Sequence, residues 1–362
     1  MSKNKNNISL LKILIVLLVF GGLVVGILAQ VVSQNVNDDL SHIFELTYLL
    51  YESVGRGLII IFGGLIVLNI LRKKKKTELG LRQKSIIGFI ISASILLVIL
   101  PLASGFLEYV SVLMPFPWST VPLQLLYDGH YFSMNYAHEF GGNGVTILIG
   151  TYLSFNIITF LAVALWGRRV FCSGICANFG AHAETLKEGL PLFKTKQNKS
   201  LKQSKKFMNT IMILKWTMLA VNLVLIVLWA ILLIFDVTII SIDAMRNIEL
   251  IKYMFLELLL VLYAFSVLSG RFYCMYCPAG SFLALTSRIA GQRINTDKTE
   301  CISCGLCNKV CDLNIDIMSC AKNKVPVKSF NCVGCGACVD TCPKNTLEYS
   351  TKYLSKRKQK SK

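Results

Sequence analysis

Six uninterrupted apolar runs constrain this chain more than any other feature of its sequence. Each run holds 18 or more residues, which is close to the ~20 that an α-helix needs to cross a bilayer. These runs hold most of an apolar content that reaches 54% of all residues, more than an average globular domain has. We therefore predict an α-helical membrane bundle of six transmembrane helices, at residues 8–32, 54–71, 86–107, 145–166, 211–235 and 251–268.

The first run has basic residues before it, as a signal peptide does. Its apolar stretch is longer than the ~7–15 residues of a signal-peptide core, and no good small-x-small cleavage site follows it. We interpret it as a retained helix.

Basic residues in the loops predict the orientation of the bundle. Loop 72–84 carries seven Lys or Arg and loop 167–210 carries nine, whereas segments 33–53 and 107–144 carry none. Positively charged loops stay on the cytoplasmic side of a membrane. We therefore predict a multi-pass protein of the cytoplasmic membrane with both termini inside. The net charge of +18 follows this pattern, so it indicates topology and contact with membrane lipid, not binding to nucleic acid.

Eight cysteines near the C-terminal end form two runs with the same spacing. The runs are Cys301-x2-Cys304-x2-Cys307-x3-Cys311 and Cys332-x2-Cys335-x2-Cys338-x3-Cys342, the second followed by Pro343. Intervals of two residues let three thiolates surround one face of an iron–sulfur cubane, and the cysteine after three residues points away from it. A structural zinc site uses four ligands in two pairs instead. The spacing therefore predicts two [4Fe-4S] clusters.

The fourth cysteine of each run ligates the other cluster in two-cluster ferredoxins. The predicted ligands of cluster I are therefore Cys301, Cys304, Cys307 and Cys342. Those of cluster II are Cys332, Cys335, Cys338 and Cys311. We predict an α+β ferredoxin domain of the bacterial type at residues 291–350, between a membrane domain at 1–290 and a basic tail at 351–362. Free thiols need a reducing compartment, so the clusters are expected on the cytoplasmic side.

Four more cysteines follow two of the apolar runs, and they are Cys172, Cys176, Cys274 and Cys277. Each pair comes after a Gly-Arg dipeptide and an aromatic residue, and this parallel construction indicates an internal repeat. Two thiolates from each of two neighbouring helix ends would close a four-thiolate site at the membrane surface. The residues alone leave open one shared cluster, one centre for each pair, or a mononuclear metal.

Arg-aromatic-Cys motifs at cytoplasmic helix ends, followed by two ferredoxin runs, make the chain similar to the NapH/NosR-type membrane polyferredoxins. The resemblance covers roughly residues 145–343. It implies that Cys172, Cys176, Cys274 and Cys277 bind a cluster or metal or take part in redox work. The chain departs from the family motif because Ala177 follows Cys176 and because the second pair is Cys-x2-Cys. It also has no extracytoplasmic flavin-binding domain, so no branch of the family is assigned.

Other single residues carry weaker signals. Cys320 belongs to neither run, and we expect it not to be a ligand. Glu257 lies within the sixth run, either as a quinol proton acceptor or as a paired structural carboxylate. No histidine lies inside a predicted helix, and no Cys-x-x-Cys-His or dinucleotide motif occurs, so nothing in the sequence indicates haem or flavin.

These patterns predict a membrane-bound iron–sulfur protein that relays electrons between a cytoplasmic donor and the membrane. The basic surface of residues 291–362, with thirteen Lys or Arg against six acids, suits an acidic donor of the ferredoxin or flavodoxin type. Quinone and a membrane or extracytoplasmic redox subunit are the expected acceptors, and no complete catalytic site of its own is seen. The alternative is an assembly or redox-sensing factor that reduces a metal or a maturing metalloenzyme, for which Met275 between two cysteines is the one hint.

Overall fold

A computed structural model gives the fold of part of the chain. It describes residues 13–15, 17–18, 21, 24, 43, 46–47, 50–73, 79–104, 113–120, 123, 144–177, 179–189, 205–235, 237, 239–252, 255–256, 260 and 270–360. The helices in this part are α1 (Arg56–Lys73), α2 (Leu81–Ala93), α3 (Leu100–Ser104), α4 (Gly144–Trp166), α5 (Phe179–Gly189), α6 (Lys205–Phe235), α7 (Ile242–Ile251), α8 (Pro278–Ile289), α9 (Leu306–Val310), α10 (Ile317–Lys322), α11 (Ala337–Thr341) and α12 (Lys352–Lys360). The strands are β1 (Arg293–Asn295) and β2 (Glu348–Ser350). Wider π-helical turns occupy Tyr51–Gly55, Ser94–Ile99 and Phe171–Ile175.

Within the described residues, four helices are long and apolar enough to cross a membrane. They span Ser53–Arg72, Leu81–Ser104, Ile149–Trp166 and Lys206–Phe235. Each overlaps one of the predicted runs, from the second run to the fifth. The predicted helices at 8–32 and 251–268 lie mostly outside the described residues, as does Glu257. The chain is therefore a helical protein with at least these four candidate membrane spans.

The chain divides into two compact units. Unit 1 comprises Met1–Leu79, Ile86–Ser111 and Gly174–Lys194, and unit 2 comprises Gly80–Ser85, Val112–Ser173 and Thr195–Lys362.

In unit 1, α1 packs against α5 at a close approach. Gly63 of α1 makes this possible, because a Cβ added there would come within 2.9 Å of the Thr185 carbonyl oxygen. Ser53 donates a hydrogen bond from its hydroxyl to the Leu97 carbonyl oxygen at 3.1 Å, which satisfies this buried polar side chain. The buried apolar core of unit 1 includes Ile60, Phe89, Ala93, Leu97, Ala177 and Ala181.

In unit 2, α8 packs against both α4 and α6. Phe282 of α8 meets Phe160 and Phe116 edge to face, with ring centroids 5.4 and 5.6 Å apart. A single aromatic side chain of the amphipathic α8 thus contacts both α4 and the segment that carries Phe116. The basic helix α12 packs against α4, where Trp166 and Tyr353 also meet edge to face.

The cysteine-rich segment of unit 2 begins and ends with the two strands. β1 and β2 pair antiparallel with Ile294 opposite Tyr349. Ile294 also forms an isolated antiparallel β-bridge with Val327, so the middle of the segment pairs with β1 as well. Helices α9 and α11 pack against each other. The buried side chains between these elements are Ile294, Cys307, Ile317, Ala321, Val327, Cys338, Leu347 and Tyr349.

Candidate functional site

The four cysteines predicted to ligate cluster I line one cavity in unit 2. Its cysteine side chains are those of Cys301, Cys304, Cys307 and Cys342. Apolar side chains, including Met318 and Leu347, form much of the rest of the wall. Four thiol groups around an apolar cavity are the donor set of an iron–sulfur cluster.

Two glycines explain why the sequence folds around the cysteines in this way. Gly305 precedes α9 with a φ of 70°, and Gly336 precedes α11 with a φ of 83°. Each stands between the second and third cysteines of its run. Since only glycine adopts this left-handed backbone without strain, the turn places the third cysteine at the start of a helix. The third cysteines of the two runs, Cys307 and Cys338, are both buried.

The thiol of Cys342 lies among hydrogen-bond donors. Burial alone would raise its pKa, but bonds from the Thr346 backbone and hydroxyl and from the backbone of Lys344 and Leu347 outweigh burial and lower that pKa. A set of donors aimed at one sulfur favours the thiolate, which is the form that ligates metal.

The cysteines predicted for cluster II interact with one another electrostatically. Burial raises the pKa of Cys338 well above its usual value, and the thiolates of Cys335, Cys332 and Cys311 raise it further, in that order. Cys307 of the first run adds to the same effect. The two runs therefore lie side by side, as the packing of α9 on α11 requires.

The described residues contain no group of three or more His, Cys, Asp or Glu side chains arranged around a single metal ion. A tetrahedral zinc site would hold its thiolates about 2.3 Å from one point. Cysteines spread around a cavity instead suit a [4Fe-4S] cluster, in which each of the four irons binds one cysteine sulfur. Cys320 packs against the apolar core of the segment and is not among the residues that line the cavity.

Cys172, Cys176, Cys274 and Cys277, which follow two of the apolar runs, are named the membrane-side cysteines here. Three of them, Cys172, Cys274 and Cys277, come together in unit 2. Arg168 follows α4 and donates from Nε to the Cys172 sulfur at 3.1 Å. Burial raises the pKa of Cys274, while Arg271 lowers it and the nearby Cys172 raises it. Arg271 also donates to the Cys172 carbonyl oxygen at 3.1 Å. The arginine of each repeated motif thus donates a hydrogen bond to the backbone of the other motif, Arg168 to Cys274 and Arg271 to Cys172.

Cys277 occupies the N-cap of α8. The backbone N–H of Gly280 donates to its sulfur at 3.4 Å, and Pro278 begins the helix. The partial positive charge of a helix N-terminus interacts favourably with a negatively charged ligand at this position. Cys176 belongs to unit 1, where it is partly buried against the apolar core.

Three buried cations near these cysteines were not assigned a role from the sequence. Arg168 and Arg271 are each 1% exposed, and Lys215 is 2% exposed. Lys215 donates to the Asn331 side chain at 3.1 Å. A lysine inside the apolar run 211–235 was the signal that could have identified it, since ionisable residues are rare in such runs.

The loop that carries Cys332 is bonded to the membrane-side motifs at several points. Arg168 donates from Nη1 to the Phe330 carbonyl oxygen at 2.9 Å. Ser173 donates to the Val333 carbonyl oxygen at 2.8 Å. Gln292 donates to the Cys332 carbonyl oxygen at 2.9 Å and accepts from the Arg168 backbone at 2.7 Å. Consequently, the loop that carries Cys332 belongs to the same polar network as Cys172.

Comparisons with known proteins agree with this chemistry. Residues 300–347 match a family model described as a 4Fe-4S dicluster domain. Residues 148–197 and 252–296 match a model described as a 4Fe-4S binding domain, and these ranges include both membrane-side cysteine pairs. The chain therefore binds [4Fe-4S] clusters.

One curated relative, an uncharacterized protein of Methanocaldococcus jannaschii, is 34% identical over 68 residues, which are 18% of this chain and 26% of that protein. The chain thus spans about a quarter of the length of this relative. No solved structure matches the chain.

Proposed function

We propose that this chain is a membrane-bound electron carrier, similar to the NapH/NosR-type polyferredoxins, that passes electrons between a cytoplasmic redox protein and an acceptor at the membrane. The observation that carries the proposal is the network from Arg168 to Phe330 and from Gln292 to Cys332. It fixes a predicted cluster loop to cysteines at the end of an apolar helix. When bound, [4Fe-4S] clusters supply one-electron transfer.

In this proposal each cluster takes ligands from both cysteine runs. Cys301, Cys304, Cys307 and Cys342 hold cluster I, which is supported by the single cavity that they line. Cys332, Cys335, Cys338 and Cys311 hold cluster II, which is supported by their mutual electrostatic effect at Cys338. The α+β ferredoxin fold that we propose for this segment agrees with the β1–β2 ladder and the packed α9–α11 pair.

A third centre at Cys172, Cys176, Cys274 and Cys277 completes the proposal. Three of these cysteines belong to unit 2, and buried arginines there offset the negative charge that thiolate ligands carry. Cys176 enters as the fourth ligand from its sequence position, four residues after Cys172. We propose a cluster for this donor set because the residues that include both cysteine pairs match a model described as a 4Fe-4S binding domain.

The orientation and the partners are part of the same proposal. The proposal that the cysteines lie on the cytoplasmic side of a six-helix bundle is supported by the basic loops 72–84 and 167–210. The donor is an acidic protein of the ferredoxin or flavodoxin type, and the acceptor is quinone or a partner redox subunit. The assembly-factor alternative has less support, because Met275 is 3% exposed and offers no thioether to a metal at the surface.

Iron counting tests the third centre. The protein is purified anaerobically as wild type and as the variant with Cys172, Cys176, Cys274 and Cys277 all changed to alanine. Three cubanes predict about twelve irons in the wild type and about eight in the variant. Cys320→Ala is the matched control and should retain the wild-type count. Equal iron content and equal spectra in wild type and quadruple variant would remove the third centre from the proposal.

A further inference from the structure

The guanidinium of Arg168 contacts both the membrane-side cysteines and the loop of cluster II. Its Nε donates to the Cys172 sulfur at 3.1 Å and its Nη2 to the Cys274 carbonyl oxygen at 3.2 Å. Its Nη1 points the other way and donates to the Phe330 carbonyl oxygen at 2.9 Å. The guanidinium of arginine is planar and carries five N–H donors at fixed angles, so one side chain can donate to three acceptors at once. One positive charge is therefore held between two groups of cysteines.

The same charge acts on both groups. Burial alone would lower the pKa of Arg168, but the thiolates of Cys172, Cys274 and Cys277 outweigh burial and raise it. On the other side, burial raises the pKa of Cys332 and the Arg168 charge opposes that rise. Since Arg168 is almost fully buried, its field is screened far less than that of a surface arginine.

The cysteines of cluster I lie in a different electrostatic setting. Cys304 is exposed, and Lys344 in the wall of the same cavity is also exposed. Water screens charges at such a surface. A buried cation that touches only one part of the cysteine array should therefore affect the potentials of that part alone.

We propose that Arg168 is a positioning residue that holds the membrane-side cysteines and the Cys332 loop around one shared positive charge, which makes the centres at these two places an electrostatically coupled pair. The inference rests on the proposed function, because it needs a centre at Cys172, Cys274 and Cys277. An electron from the donor adds one negative charge to a thiolate-ligated site, and no bond is made or broken. The buried guanidinium stabilises that added charge at both places.

The test is an EPR-monitored redox titration of Arg168→Gln, with iron counted in each sample. At a fixed potential, the ratio of reduced to oxidised centre should fall about tenfold for both cluster II and the membrane-side centre. This change equals a midpoint shift of about 59 mV for a one-electron couple. The ratio for cluster I should not change. Arg168→Lys keeps the positive charge and should keep both midpoints close to those of the wild type.

Arg288→Gln is the matched control. Arg288 lies 3.5 Å from the centroid of the Phe330 ring, so it is close to the same loop, but it is exposed. Its removal should leave all midpoints unchanged. Unshifted midpoints in Arg168→Gln at full iron content would overturn the inference, as would equal shifts in all three centres.

A second measurement does not require an Arg168 variant to fold. In the variant lacking the four membrane-side cysteines, Arg168 no longer shares its charge with a second centre. The cluster II midpoint should therefore become more positive, while that of cluster I stays constant. An unmoved cluster II midpoint would overturn the inference. A wild-type count of about eight irons would instead overturn the third centre, so the two failures are distinguishable.

Discussion

At the scale of single residues, burial controls the protonation of most cysteines in the cluster II set. Burial raises the pKa of Cys311 to about 11 and also raises those of Cys332 and Cys338. In the cluster I set, burial raises the pKa of Cys307, whereas hydrogen bonds lower that of Cys342. Because metal binds the thiolate, each protonated thiol must release its proton when the cluster is loaded.

We therefore predict that loading of cluster II depends more steeply on pH than loading of cluster I. A raised thiol pKa means that the apoprotein holds its protons at neutral pH, so higher pH favours loading. For Cys311 the cost at neutral pH is about 3 kcal/mol above that of an ordinary cysteine. Anaerobic reconstitution between about pH 7 and about pH 9, followed by EPR, measures the occupancy of each cluster. Parallel pH profiles for the two clusters would contradict this prediction.

At the scale of elements, one aspartate of the cysteine-rich segment caps the N-terminus of an apolar helix. Asp340 of α11 accepts hydrogen bonds from the backbone N–H groups of Leu81 and Arg82 at 2.9 and 2.7 Å. These N–H groups begin α2 and have no partner within the helix. An anion here also interacts favourably with the helix dipole. The first turn of α2 is thus attached to the helix that carries Cys338.

Asp340→Ala should free these two N–H groups and destabilise the protein by about 1 kcal/mol. Amide hydrogen exchange at Leu81 and Arg82 should become faster, and the midpoint of thermal unfolding should fall by a few degrees. Asp316→Ala is a suitable control because Asp316 caps α10, within the cysteine-rich segment itself. Unchanged exchange at Leu81 and Arg82 in Asp340→Ala would show that the cap contributes little.

A second feature at this scale is the turn that carries Cys172. The π-helical turn Phe171–Ile175 has a non-helical residue, Ser173, with φ −129° and ψ 18°. This kink accompanies the hydrogen bond from Ser173 to Val333. An apolar, helix-like sequence pattern does not predict such a turn, because the partner of Ser173 is 160 residues away in the chain.

At the scale of the whole molecule, charge has two distinct uses. In our proposal, the basic loops set how the chain crosses the membrane, whereas basic residues in 291–362 are available to a soluble partner. The exposed Cys304 and the cavity of cluster I belong to this second region. In our proposal an acidic donor approaches there, at the part of the cysteine array that water reaches.

Reduction by an acidic ferredoxin or flavodoxin should accordingly slow as salt is added. Because attraction between surface charges is screened within about 10 Å at 0.1 M salt, we expect the second-order rate constant to fall about tenfold between low and high salt. Stopped-flow absorbance at several ionic strengths measures it. A neutral small-molecule reductant is the control, and its rate should change little. A rate constant that is independent of salt would contradict the expected donor class.

The cysteine spacing and the apolar runs were sufficient to predict the chemistry of this protein and four of its candidate membrane spans. Both are local properties: ligands of one loop lie two or three residues apart, and a spanning helix needs only length and apolar side chains. The glycines at 305 and 336 are local as well, because each serves the turn in which it stands.

Only the tertiary structure showed what connects these local parts. Arg168 bonds to Phe330 across 162 positions, and Lys215 bonds to Asn331 across 116. No spacing rule predicts such pairs, since their partners are chosen by how apolar helices and a cysteine-rich loop pack together. A buried cation is stable only where packing supplies its acceptors. The sequence alone therefore determined which residues could bind clusters. The packing determined which of these residues lie near the positive charge of Arg168.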